Sequence, residues 1–198
     1  MKLSIKRGNA MSLIKKVALI GVLLAMVGTG AFFYYWHSRA LLEQGAIVDF
    51  DELRDTQSIL DLFNTDRYWL LSNPHSSPER MLKYRTPRPY DPFYAGKLYI
   101  KVLREQGKFV GFVSYYKETF KDWRLLFVAV KPEMRGKHAA EKLMIYALKD
   151  MKKRGATRVI LTTRTENFRA QTLYKRLGFT VFAWDFPPGY VDFEKKLQ

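Results

Sequence analysis

Residues Leu125–Phe182 read LLFVAV-KPEMRGKHAAEKLMIYALKDMKKRG-ATRVILTT-RTENFRAQTLYKRLGFTVF, and this stretch decides the fold. Leu125–Val130 is a continuous apolar run, the pattern of a strand buried on both faces. Pro132 ends it. Ala140, Leu143, Met144, Ala147, Leu148 and Met151 then recur at helical spacing. Lys152, Lys153 and Arg154 complement the negative end of that helix, and Gly155 suits a left-handed C-terminal cap. Thr157–Thr163 is β-branched and apolar, so it reads as a return strand. A strand–helix–strand of this length is a parallel pair with a crossover helix.

Other strands lie on both sides of this unit. Leu98–Leu103 and Phe109–Tyr116 flank Glu105-Gln106-Gly107-Lys108, a hairpin signal. Trp123–Val130 follows after a turn near Asp122, and short links make these neighbours antiparallel. Thr180–Trp184 and Val191–Leu197 close the chain. The expectation is an α/β protein with a mixed sheet, antiparallel first and parallel later. Upstream, Ile47, Val48 and Phe50 read as a first strand. Asp51 caps a helix through Asn64, with Leu53, Ile59, Leu60 and Phe63 facing inward, and Arg67–Leu71 reads as a second short helix. Residues Asn73–Gly96 hold five of the eight prolines, which argues against a long regular element there.

Two short patterns carry chemistry. Between Val130 and Ala140 a basic turn with Arg135, Gly136 and Lys137 runs into a helix start. Free backbone N–H groups and the helix dipole make such a turn a phosphate cradle, although the same sequence also suits a plain solvated cap. Asn167, Ala170, Tyr174, Gly178 and Phe179 form N-x-x-A-x-x-x-Y-x-x-x-G-F, with Ala170 and Tyr174 one helical turn apart.

Together these patterns resemble the GNAT superfamily of acyl-CoA-dependent N-acetyltransferases. The family's phosphate motif is Q/R-x-x-G-x-G/A. Arg135 matches its first position and Ala140 its last, while His138 stands where the family has glycine. The resemblance implies a GNAT-like, partly splayed sheet flanked by helices over residues 47–198. It implies acetyl-CoA as acyl donor and a primary amine, of a small molecule or a protein, as acceptor. On this resemblance the cofactor-binding residues are Val128 and Val130 on the strand, Arg135, Gly136, Lys137, His138, Ala139 and Ala140 in the turn, and Asn167. Tyr174 matches the family's tyrosine near the thioester sulfur; a phenol with a pKa near 10 is protonated at neutral pH and can protonate a departing thiolate. Family members often carry an acid on or near the strand before the turn, and Trp123–Val130 contains none. Glu118, Asp122 and Glu166 are the nearest acids, and His75 and His138 the nearest titrating rings. The alternative is a non-catalytic acyl-CoA-binding module; a basic scaffold without cofactor is a third reading.

The whole chain sets further bounds. Its 198 residues include no cysteine, which excludes disulfides, a thiolate nucleophile and cysteine-based metal sites. No spacing of histidine and carboxylate suggests a metal. The net charge is +15, of which residues 1–39 supply +6 and the remainder +9. No nucleic-acid motif accompanies this charge, so no nucleic-acid partner is expected. Val17–Trp36 reads VALIGVLLAMVGTGAFFYYW, about 20 residues without charge, enough to cross a bilayer. Residues 1–16 form a basic segment before it, 37–46 a connector after it, and Phe32–Trp36 resemble an interfacial aromatic belt. A single membrane span is the expectation; a cleaved signal peptide is the competing one. Five basic residues precede the span, which by the positive-inside tendency places the N-terminus in the cytoplasm and the domain outside. A coenzyme A thioester is usually cytosolic, so the side on which the domain lies stays open.

Overall fold

The structure is a computed structural model that describes residues 45–71, 76–87, 96–184 and 188–197. Its elements in chain order are β1 Ala46–Asp49, α1 Glu52–Thr65, α2 Arg67–Leu70, α3 Pro78–Tyr84, β2 Tyr99–Glu105, β3 Lys108–Lys117, β4 Asp122–Val130, a 3-10 turn Pro132–Met134, α4 Ala139–Lys153, β5 Arg158–Arg164, α5 Phe168–Arg176, β6 Thr180–Trp184 and β7 Tyr190–Lys196. The apolar stretch 17–36 lies outside the described residues. Among those described, no helix is long and apolar enough to cross a membrane.

Among the described residues the strands form one seven-stranded sheet, in the order β1-β2-β3-β4-β5-β7-β6. Every neighbouring pair is antiparallel except β4 and β5, which are parallel with α4 as the crossover. The β2–β3 hairpin turns through Gln106 and Gly107, both in the left-handed region (φ 50° and 75°), the two-residue turn whose twist matches the strands. The sheet has a core on each face. On one, Leu143, Met144, Ala147 and Met151 of α4 and Tyr174 of α5 pack with Val113, Val159, Leu161 and Phe193. On the other, Ile59, Leu62 and Phe63 of α1 and Met81 and Leu82 of α3 cover Ile100, Val102 and Phe112.

The expected capping at Asp51 is present: its carboxylate accepts from the N–H of Leu53 and Arg54 at 3.0 and 3.2 Å. The expected inward face of that helix needs a correction. Leu53 is fully exposed, and Asp55, with no exposed surface, takes its place in the inward stripe with Ile59, Leu62 and Phe63. Asp55 can lie there because Arg104 of β2 ion-pairs with it and the Asp51 N–H donates to it at 2.9 Å. The proline-rich stretch also contains a seven-residue helix, α3, which the sequence reading left out. Pro78 sits in its first turn, where no N–H is needed, and the Ser77 hydroxyl accepts from the Arg80 N–H.

β4 was expected to be buried on both faces. Only Ala129 and Val130 at its end are buried in succession; from Asp122 to Leu125 burial alternates, and Leu126, Phe127 and Val128 are partly exposed. The cause lies in the strand pairing. β4 and β5 keep register only through Asp122–Arg158, Trp123–Val159 and Arg124–Ile160. On the other edge of β4 the register jumps between Ser114–Phe127 and Tyr115–Leu125, so Leu126 is an extra residue, a bulge. A bulge bends and twists its strand, here at the point where β4 parts from β5.

The far end of β4 is held by a close approach. Gly111 of β3 lies opposite Val130, and a β-carbon at Gly111 would stand 2.4 Å from the Ala129 carbonyl oxygen and 2.9 Å from the Val130 Cα. Both obstacles are backbone, so they cannot swing aside. Gly111→Ala is therefore expected to cost about 3 kcal/mol, the upper range for overpacking a core. Urea unfolding midpoints at unchanged slope measure it.

Candidate functional site

Where β4 and β5 diverge, a groove of about 770 Å³ opens. This falls within the roughly 300–1,000 Å³ typical of cofactor sites. One wall is the Leu125–Val130 length of β4, with Val128 partly exposed and Val130 buried. Backbone N–H and C=O groups on a strand point alternately to its two sides. Those of β4 aimed at β5 beyond Arg124 have no strand to pair with, because the ladder has ended.

The end of the groove is the turn after β4. Arg135, Gly136, His138, Ala139 and Ala140 all line it. Gly136 has φ +80° and nothing within 4 Å of where a β-carbon would stand, so its backbone is open to a ligand. α4 begins at Ala139, and the first N–H groups of a helix lack intrahelical partners. His138, where the motif has glycine, adopts the left-handed conformation (φ 59°, ψ 13°) that glycine takes most easily. Its ring is largely exposed, and Nδ1 lies 2.8 Å from the Glu141 carboxylate, which also receives Arg176 at 2.9 Å. The hydrogen bond with His138 first, and then the charge of Arg176, hold the Glu141 carboxyl below the ordinary carboxylate range.

Arg135 reaches back rather than into solvent. Its Nε donates to the Val130 carbonyl at 3.2 Å, and its Nη2 pairs with Asp66 at the start of α2. The guanidinium thus braces the turn against β4 and the α1–α2 junction. Lys137 does not line the groove; it is exposed, with Nζ 3.9 Å from the Met134 sulfur. Of the cofactor residues expected from the motif it is the one that does not line the groove; its side chain follows the outside of the turn. Asn167 lines the groove, and its Oδ1 accepts from the Ala170 N–H at 3.2 Å as the N-cap of α5.

Tyr174 lines the groove from α5 and is 6% exposed. Its ring lies against Phe193 and Phe179, with centroids 5.7 and 6.1 Å away. Burial pushes its hydroxyl pKa up to about 12. The group is therefore a proton carrier throughout the neutral range. Of the acids considered from sequence, Glu118 is bound to Arg124 and Asp122 to Arg158. Glu166 lines the groove and accepts from the Tyr68 hydroxyl. His75 lies outside the described residues. No group of His, Asp and Glu that could hold a metal occurs among the described residues.

Several groove residues were not read from the sequence. Asp66, Trp69, Glu141, Thr162, Phe168 and Arg176 all line it. Trp69 and Phe168 are exposed large aromatics, a sign of a binding surface that appears only once burial is known.

The sequence model of the acetyltransferase (GNAT) family matches residues 57–179. A Bacillus subtilis protein provisionally named a ribosomal protein bS18-alanine N-acetyltransferase is 30% identical over 100 residues, 48% of this chain and 66% of that protein. The N-alpha-acetyltransferase 30 of Schizosaccharomyces pombe is 33% identical over 82 residues, 39% of this chain and 55% of that protein. The chain thus spans somewhat less than two thirds of the curated relatives it matches. Among solved structures, the PaiA N-acetyltransferase of Thermoplasma acidophilum, in complex with coenzyme A, superposes with a TM-score of 0.62 at 20% identity. That match covers 77% of this chain and 99% of the other, and it is a likeness of fold.

Proposed function

Because the chain belongs to the acetyltransferase (GNAT) family, we propose that it transfers an acetyl group from acetyl-CoA to a primary amine. The observation that carries this is the coincidence, in one groove, of an open strand edge, a glycine-bearing turn at a helix start, and a buried, protonated tyrosine. The groove fits the donor on three counts. Its volume suits a cofactor arm, the β4 edge beyond Arg124 offers amide pairing to a pantetheine chain, and the Gly136–Ala140 turn offers N–H groups and dipole to a pyrophosphate. When bound, the donor supplies the acyl group as a thioester. Val128 and Val130 orient it, and residues 135–140, with Lys137 on the outer side, hold its phosphates. Asn167 fixes the start of α5, and Tyr174 on that helix gives its proton to the departing sulfur. A peptide α-amine is the first acceptor to test, since the relatives are named for alanine and N-alpha acetylation.

Thiol release in the presence of acetyl-CoA and peptides with free N-termini is the test. Release that depends on both substrates supports the reading. Donor binding without release for any amine supports the acyl-CoA-binding module instead.

His138→Asp isolates the phosphate turn. Aspartate tolerates the left-handed conformation and caps helices well, so the fold should hold. A carboxylate beside an anionic ligand costs on the order of 1–2 kcal/mol at a protein surface, about tenfold in Kd. Calorimetry should show acetyl-CoA affinity reduced by that factor, with the loss shrinking at high salt. An unchanged affinity places the phosphates elsewhere.

The proposal keeps residues 17–36 as a single membrane span, on their length and lack of charge. Alkaline carbonate extraction of membranes tests it: a spanning chain stays in the pellet.

A further inference from the structure

Amine acylation needs a group to take the proton of the attacking nitrogen, and β4 offers no free acid for it: its one carboxylate, Asp122, is bound to Arg158. A polar chain on the neighbouring strands fills that gap. Thr162 of β5 stands two residues past Ile160, the last rung of the β4–β5 ladder, and lines the groove. Its hydroxyl donates to the Asp192 carboxylate of β7, directly opposite in register. The same oxygen accepts from Arg124 Nη1 at 3.0 Å, and Arg124 is held from behind by Glu118, 2.9 Å from its Nε. A hydroxyl oxygen has two lone pairs. Arg124 takes one, so the second is left for the groove.

The remaining acids of the groove are otherwise engaged. Asp66 pairs with Arg135, Glu141 with His138 and Arg176, and Glu166 with Tyr68. The charged groups along the Asp192 face are Arg124 with Glu118, Arg158 with Asp122 and Glu194, and Arg164, whose guanidinium stacks on Tyr68 and Tyr190. Each of these cations already has an acidic or aromatic partner, and none but Arg124 touches Thr162.

We propose that Thr162 receives the acceptor amine and that Asp192 is the proton acceptor acting through it. This rests on the acyl-transfer reading above. The ammonium gives one proton to Thr162 Oγ1 as the threonine's own hydroxyl proton passes to the Asp192 carboxylate. The freed lone pair forms the C–N bond with the acyl carbon, and the C–S bond breaks. Tyr174 protonates the sulfur, and the second proton shed by nitrogen replaces the one Tyr174 gave up. Asp192 returns its proton to water.

The experiment measures kcat against pH for the full chain with acetyl-CoA and an N-terminally free alanyl peptide, together with the acetyl-CoA Kd and Tm of each variant. Asp192→Asn and Thr162→Val should each lower kcat at pH 7 by about a hundredfold. Their deficit should close as pH rises past the pKa of the peptide amine, near 8, where the amine arrives already deprotonated. Thr162→Ser should keep most of the rate, and Kd and Tm should stay near wild type. Variants within threefold of wild type at pH 7 overturn the relay. So does a deficit that is the same at every pH, or one that follows a loss of Tm, since either marks a structural role. No thiol release by the wild-type chain instead overturns the acyl-transfer reading itself.

Discussion

Tyr174→Phe is expected to lower kcat by about two orders of magnitude, the lower range for loss of a positioned general acid, with acetyl-CoA affinity and Tm left in place. The phenol lies on the groove wall with the rest of its ring in the core against Phe179 and Phe193. Phenylalanine keeps that ring packing, and among the described residues the Tyr174 hydroxyl has no hydrogen-bond partner to lose. The substitution therefore removes a proton donor and little else. Its pH behaviour follows from the sign of the shift. Burial raises the folded pKa to about 12 from the ordinary 10.0 of a phenol. The stabilising contribution is complete below pH 10 and is lost as pH rises from 10 to about 12, where the unfolded chain releases its proton and the folded one retains it. Alkaline unfolding of the Tyr174→Phe variant should lack that component, and wild-type kcat should show no alkaline limb from this group below pH 10. Steady-state thiol release and alkaline melting curves measure both. A variant with full kcat would remove Tyr174 from the chemistry.

Asp55→Ala carries the largest expected effect on stability, about 3–5 kcal/mol, the cost of leaving one partner of a buried ion pair uncompensated. Asp55 has no exposed surface, and Arg104 is 8% exposed. The carboxylate joins three pieces: Arg104 on β2, the Asp51 N–H before α1, and its own helix. Its loss strands the guanidinium beneath α1 and frees the chain entering that helix. Replacing both partners by apolar residues of similar volume, Asp55→Leu with Arg104→Met, should recover most of the loss, because the cost lies in the orphaned charge. Chemical denaturation of the two variants decides it. A single-variant effect below about 1 kcal/mol would mean that water reaches the pair and that α1 is held by its apolar stripe alone.

The same residue shows where sequence pattern fails. In α1 the inward stripe is Asp55, Ile59, Leu62, Phe63, at ideal helical spacing. A reading that admits only apolar residues passes over Asp55 and takes Leu53, which lies about 200° around the helix from it. The partner that makes Asp55 acceptable is forty-nine residues away, beyond the reach of local pattern. By contrast, the strand–helix–strand from Leu125 to Thr163 was legible because its signals are local: an apolar run, a proline stop, a helical stripe and a glycine cap.

The site divides along the same line. The 135–140 turn and Tyr174 stand out as short patterns, and the structure brings them to one groove. The bulge at Leu126 could not be seen, because an apolar run on both sides of it hides the slip in alternation. Thr162 and Asp192 meet only through the β5–β7 register, a pairing that skips β6. That Lys137 alone of the turn faces away from the groove was not legible, because a basic residue in a phosphate-like turn says nothing about which side of the turn it faces.

The central claim is that the β4–β5 groove holds acetyl-CoA. A calorimetric titration of acetyl-CoA into the full chain tests it most directly. The account predicts saturable binding at one site per chain, weakened about tenfold by His138→Asp. Absence of binding at millimolar donor would contradict it.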